Sequence, residues 1–187
     1  MTQFTAYDLD TAPAASKPLL EKSIAAFGSI PGLHAVMAES PELLEGYQVL
    51  HGLFQKSTLD KDELTVVWQT INVENECHYC VPAHTLIAKA MGVSDEISNA
   101  LRDETPLPNA RLEALRTFTL ALVRERGFVS DATVEAFLAA GFTRRNILEV
   151  VLGYSQKIMS NYTNHLAKTP TDQRFQQFAW TKAAAAA

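Results

Sequence analysis

Cysteine is scarce in this chain: its 187 residues carry two. Two thiols cannot build a disulfide framework, so the fold must rest on a hydrophobic core. Long apolar runs are missing too, and none approaches the ~20 residues needed to span a bilayer. Basic charge is not in excess. Lys and Arg number 16 against 21 Asp and Glu, a net charge of −5, which gives no reason to expect nucleic-acid or anionic-membrane partners. The first 14 residues hold Asp8 and Asp10, no basic residue and no apolar segment. No export signal is read there, and a cytoplasmic location is expected. Alternating apolar and polar runs of strand type are also lacking.

What remains is helical. Hydrophobic residues make up 47% and charged residues 20%, the balance of a globular protein long enough for one substantial core. A first helix starts after Ser16 with Pro18-Leu19-Leu20 and stops at Gly28. A short helix covers Leu33 to Ala38. Ser40-Pro41 caps the next, which carries Leu43, Leu44, Tyr47, Leu50, Leu53 and Phe54 on one side. Leu59-Asp60 opens a helix with Leu64, Val67, Trp68 and Ile71 inward. Asn75 is expected to cap another, ended by Gly92. Ser94, Ser130 and Thr143 cap later helices, and Leu112 to Arg126 forms a long amphipathic one. The chain therefore reads as a single all-α domain over 1–187 with roughly nine helices. Residues 1–14 read as an irregular arm and 183–187 as a low-complexity tail. A faint internal echo accompanies this. Leu64-Thr65-Val66-Val67 stands 13 residues before Cys77, and Leu148-Glu149-Val150-Val151 stands 13 before Asn161. Asn161 and Asn164 thus fall on the places of Cys77 and Cys80, either as a degenerate repeat that lost its thiols or by chance.

Both cysteines lie within Asn75-Glu76-Cys77-His78-Tyr79-Cys80-Val81-Pro82-Ala83-His84. On a helix Cys77, Cys80 and His84 would share one face. Thiols three residues apart are within disulfide reach, and an imidazole one turn on can manage a proton. The first helical turn favours thiolate at Cys77, whereas His84 can take the proton of Cys80. Glu74 and Glu76 either relay protons or oppose thiolate formation by their charge, and Glu63 on the preceding helix is a further relay candidate. The functional reading is a thiolate that attacks a peroxide or disulfide while the second cysteine resolves the product. Structural zinc would want a fourth ligand and a second pair far away in sequence. Covalent haem would want histidine where Val81 stands. No metal and no cofactor is expected, and two inert buried cysteines are the competing reading.

His34 and His51 are expected to be packed histidines, and Trp68 and Tyr79 core residues. His78 is read as lining a pocket mouth or a subunit contact. The Asn161, Asn164 and His165 patch is expected at the surface, with the alternative that it faces the site.

The segment Asn75-x-Cys77-His78-Tyr79-Cys80-Val81-x-Ala83-His84-Thr85 resembles the signature of the alkylhydroperoxidase D-like, carboxymuconolactone decarboxylase superfamily. Ser29-Ile30-Pro31-Gly32-Leu33-His34-Ala35-Val36-Met37-Ala38-Glu39-Ser40-Pro41 is similar to the N-terminal part of its peroxidase-related members. The likeness spans about residues 28–125. It implies an all-α helical bundle, a homo-oligomer (dimer, trimer or hexamer) and dithiol peroxidase or disulfide reductase activity. It implies Cys80 as the cysteine that attacks peroxide, Cys77 as the resolving one and His84 in the proton relay. A small-molecule peroxide would be the substrate and an unidentified dithiol or disulfide reductase the partner. Two departures stand out. Redox members usually carry glutamate 12 residues before the first cysteine, where this chain has Thr65; Glu74, or else Glu63, is expected to take that role. Glycine commonly follows the asparagine, where this chain has Glu76. Lactone decarboxylases of the superfamily lack the cysteine pair. The alternatives are a non-redox lyase with His84 as base and a non-catalytic oligomeric binding protein.

Overall fold

A computed structural model describes residues 4–182. The first three residues of the expected arm and the 183–187 tail lie outside that range. Among the described residues there are nine α-helices and no strand: α1 (Lys17–Phe27), α2 (Gly32–Met37), α3 (Pro41–Gln55), α4 (Lys61–Glu74), α5 (Cys80–Ala90), α6 (Asp95–Arg102), α7 (Ala110–Arg124), α8 (Asp131–Ala139) and α9 (Arg144–Ala167). None of these helices is long and apolar enough to cross a membrane.

Most starts follow from local chemistry. The side chains of Ser40, Asp60, Ser94, Asn109, Ser130 and Thr143 each accept a backbone N–H of the turn they begin. Asp60 and Thr143 form full capping boxes, with Glu63 and Asn146 reaching back. Ser16 behaves otherwise. It is buried and donates its hydroxyl to Ala38 O at 2.7 Å, tying α1 to the end of α2 instead of capping.

The bundle is built around α4, whose residues Glu63 to Val73 are all buried. The inward list read from the sequence was therefore too short. Thr65, Gln69, Thr70 and Asn72 face neighbours as well, because helices surround α4 on every side. One core joins α4 with α6, α7, α8 and α9 through Trp68, Ile71, Leu115, Phe118 and Phe137. A second core joins α1, α2 and α3 to the cysteine segment through Leu20, Met37, Leu44 and Tyr79. Helix α9 crosses both.

At Gly153, α9 comes against Phe54 of α3 and Val67 of α4. A Cβ there would lie 2.7 Å from two Phe54 ring carbons and 3.0 Å from a Val67 methyl. Alanine in a helix gains about 1 kcal/mol in propensity over glycine. An overpacked core position costs about 1–3 kcal/mol, and both neighbours are held by the packing around them. We expect Gly153→Ala to lower the urea unfolding midpoint; an unchanged or higher midpoint would mean that the two helices separate freely.

The C-terminal segment is the part that periodicity did not reveal. After α9, Thr169 to Lys182 crosses the molecule with one 3-10 turn at Gln173–Phe178. Asp172 accepts from Gly32 N at 3.1 Å and from the Tyr79 hydroxyl at 2.9 Å. Trp180 Nε1 donates to Arg102 O, and Arg102 donates to Phe178 O. These are side-chain bonds, most of them to backbone, between distant residues, and they leave no repeating pattern in a sequence.

Candidate functional site

The helix expected over both cysteines is interrupted. Asn75 is the C-cap of α4, not the N-cap of α5. Glu76 has φ +53°, the left-handed region that ends a helix, and α5 begins only at Cys80. Cys77 lies in the connecting turn, so it is Cys80 that occupies the first helical position and meets the positive end of the α5 dipole. Cys77 sits where a capping side chain would: its sulfur accepts the Cys80 backbone N–H at 3.3 Å. Its carbonyl accepts from Val81 N at 3.1 Å.

Both thiols are free and buried. Asn164 Nδ2 of α9 donates to Cys80 Sγ at 3.2 Å. Asn161 Nδ2 donates to Asn72 Oδ1, and Asn75 Nδ2 donates to Asn161 Oδ1 at 2.9 Å. Gln69 of α4 donates to Val81 O and to the Thr85 hydroxyl. The α4–α5 turn is thus fixed from beneath by α4 and from the side by α9. Asn161 and Asn164 are fully buried at the site, which corrects their expected surface position. His165 is exposed and stacks on Tyr162, away from the thiols.

The sequence missed Lys157. It is fully buried, and its Nζ lies 3.0 Å from His84 Nε2. Lys157, Asn161 and Asn164 follow at i, i+4 and i+7, one stripe of α9, and that spacing was the available signal. Burial opposes a charge on Cys80. The hydrogen bond from Cys77, the Lys157 ammonium and the Asn164 and Asn161 amides outweigh it and hold the thiol down at about 5. Cys77 is pushed the other way by its hydrogen bond to Cys80, by burial and by the neighbouring negative charge. The two sulfurs are therefore driven apart, Cys80 toward the thiolate and Cys77 toward the thiol. Burial, Lys157 and His51 keep His84 neutral, well below its ordinary range. Its Nε2 consequently accepts from the lysine. Burial lowers Lys157 while the two sulfurs raise it.

Neither predicted glutamate reaches the thiols. Glu63 sits in the first turn of α4, where it closes the capping box and pairs with Arg111 at 2.8 Å. At 1.5 Å per residue that is about 16 Å along the helix from Glu74. Glu74 accepts from Arg124 Nε and Nη2, each at 2.8 Å. An arginine pair on each carboxylate, absent from any local pattern, is what turns them away. Thr65 donates its hydroxyl to Lys61 O. The cation that stands by the thiols comes instead from α9.

Cys80 and His84 open onto a cavity of about 650 Å³, within the range of small-molecule sites. Rings run in sequence along it: Phe27, His34, Tyr47, His51, Trp68 and His84, with successive centroids 4.9–6.1 Å apart. Of these, Trp68 packs behind the wall and donates to Gln156 Oε1, as a core residue should. His34 and His51 are packed and held neutral mainly by burial, at about 3 and about 4, but both line the cavity. Tyr79 and Phe175 close its other side. His78 is exposed and bonds to Thr169 O at 3.0 Å, so it tethers the C-terminal segment. Among the described residues no three His, Cys, Asp or Glu side chains are grouped to hold a metal ion.

An all-α bundle with a paired-cysteine turn at the start of a buried helix is the alkylhydroperoxidase D-like fold. Among solved structures, an uncharacterised peroxidase-related protein from Ralstonia eutropha JMP134, described as an alkylhydroperoxidase AhpD core, superposes with a TM-score of 0.80 at 19% identity, over 94% of this chain and 96% of its own. A peroxidase-related protein from Silicibacter sp. TM1040 gives 0.76 at 21% identity, over 93% and 95%. The debrominase Bmp8, as a cysteine-to-alanine variant in complex with 2,3,4-tribromopyrrole, gives 0.77 at 14% identity, over 95% of each chain. No family model and no curated protein matches the sequence.

Proposed function

We propose that the protein is a thiol-dependent hydroperoxide reductase. The observation that carries this reading is the asymmetry of the pair: Cys80 opens α5, lines the cavity and accepts the Asn164 amide, while Cys77 is fully buried and accepts the Cys80 N–H. Cys80 Sγ attacks the terminal oxygen of a hydroperoxide. The O–O bond breaks, the alkoxide takes a proton from the Lys157 ammonium and leaves as an alcohol, and Cys80 becomes a sulfenic acid. The Cys77 sulfur then displaces hydroxide, which departs as water with the Cys77 proton, and a disulfide closes. A dithiol partner reduces the disulfide by exchange and returns the proton to Lys157. His84, hydrogen-bonded to Nζ, orients the lysine and shares that proton. Consumption of cumene hydroperoxide with dithiothreitol as reductant tests the assignment; a wild-type rate no higher than that of Cys80→Ser rejects it.

A second reading uses the same electrons. The cavity exceeds what a small peroxide needs, and its wall is aromatic. The ligand of the structurally similar debrominase, a bromopyrrole, is the substrate this reading proposes: Cys80 would take bromine from carbon, Lys157 would protonate the ring, and Cys77 would release bromide as the disulfide forms. Bromide release from tribromopyrrole exceeding the rate of hydroperoxide consumption would favour this reading.

We also propose that the chain self-associates. Leu148, Val151, Tyr162 and Leu166 of α9 and Val49 and Leu53 of the adjoining α3 are all exposed, Leu148 and Leu166 by 69% and 71%. Such a stripe is unusual on a monomer. Leu148→Glu with Leu166→Glu is expected to lower the mass measured by light scattering; a wild-type monomer would overturn the proposal.

A further inference from the structure

The charge of the cavity is at odds with that of the chain. The protein carries −5 overall, yet no Asp or Glu lines this cavity, while Lys22, Lys157 and Arg174 do. These cations stand at two depths. Lys157 is sealed at the floor and already occupied by His84 and the thiolate. Lys22 and Arg174 lie at the solvent side, one on α1 and one on the C-terminal segment. The Lys22 ammonium has no hydrogen-bond or ion-pair partner among the described residues. Arg174 gives Nη1 to Phe27 O, and its Nη2 reaches Asp172 only at 3.8 Å. That carboxylate is already taken by Gly32 N and the Tyr79 hydroxyl. Nε of Arg174 is buried without a protein partner. Between floor and rim the wall is mostly apolar or aromatic and carries no charge: its polar members are Ser23, Gln48 and Gln55, and His34 and His51 are uncharged.

We infer that the site is built for an amphipathic organic acid, whose carboxylate is held at the rim by Lys22 and Arg174 while its apolar body lies along the ring wall toward Cys80. This deepens the proposed redox reading and rests on it only for what happens at the far end. Guanidinium and ammonium groups at the edge of an apolar cavity gain most from a partner that brings both a charge and a hydrocarbon body. A neutral hydroperoxide would leave Lys22 without a counter-charge and Arg174 with only the long, shared contact to Asp172. An acid-bearing one satisfies them and places its reducible group at the thiolate.

The test separates binding from turnover. Isothermal titration of the full chain with octanoate and with 1-octanol at pH 7.5 reads the head-group preference directly. Octanoate is expected to bind about tenfold or more tightly, with the preference shrinking as salt is raised. In K22E/R174Q the two probes should bind alike. Octanol binding as well as octanoate in the wild-type protein, or neither binding, overturns the inference without reference to any variant. Cumene hydroperoxide turnover, run in parallel, reports on the redox reading separately. Lost octanoate preference with intact turnover rejects only the acid subsite, and intact preference without turnover rejects only the peroxidase.

Discussion

Cys80→Ser is expected to reduce hydroperoxide consumption to the uncatalysed rate, while Cys77→Ser should still consume one equivalent of peroxide and then stop. The asymmetry follows from position. Cys80 takes the first place of α5, faces the cavity and receives the Asn164 amide. Cys77 lies behind it, fully buried, with its sulfur accepting the Cys80 N–H. With Cys77 gone, the sulfenic acid on Cys80 has no thiol to close upon, and a dimedone adduct should appear in the mass spectrum. With Cys80 gone, Cys77 remains fully buried and does not line the cavity, so peroxide has no access to it. Iodoacetamide supplies an independent reading. At pH 6 a thiol held at about 5 is mostly thiolate, so a single label on Cys80 is expected. Equal labelling of both cysteines, or full turnover by Cys77→Ser, would sink the assignment.

Lys157→Met should have the second largest effect. Methionine keeps the length and apolar stem and removes the charge. Replacing a buried charge by an apolar isostere is often neutral for stability, so the fold should survive and the consequence should fall on Cys80. The sign is fixed. The ammonium stabilises the thiolate, so its removal raises the Cys80 thiol, leaving only the Cys77, Asn164 and Asn161 hydrogen bonds to oppose burial. An opposite charge nearby commonly moves such a group by about 1–3 units. Alkylation at pH 6 is therefore expected to fall by about tenfold or more. In the wild-type protein the rate should be flat from pH 6 to 8; in the variant it should climb with pH across that span. Peroxide turnover should fall in parallel, since the proton donor for the leaving alkoxide is lost too. A flat profile in the variant would show that Lys157 does not set the thiolate.

How the sequence and the fold divide this outcome can be read in single residues. Helix starts were legible because a cap is a contact three residues long: Ser40, Asp60, Ser94, Ser130 and Thr143 act where their sequence places them. The i, i+4 relation of Cys80 and His84 was legible for the same reason, as both ride on α5. Less local features were misread. The expected cap at Asn75 failed because Glu76 takes a left-handed conformation that nothing in its type requires. Glu63 and Glu74 looked available until α7 supplied Arg111 and Arg124. The echo between the two halves hinted at Asn161 and Asn164, but it could not place them within reach of sulfur.

The sequence by itself determined an all-α bundle, its caps and a dithiol followed by a histidine one turn on, since each of these is written in neighbours a few residues apart. Only the tertiary structure decided which sulfur carries the charge. That choice depends on Lys157 and Asn164, which lie more than seventy residues away and act through a buried, low-dielectric contact that has no counterpart in the local pattern.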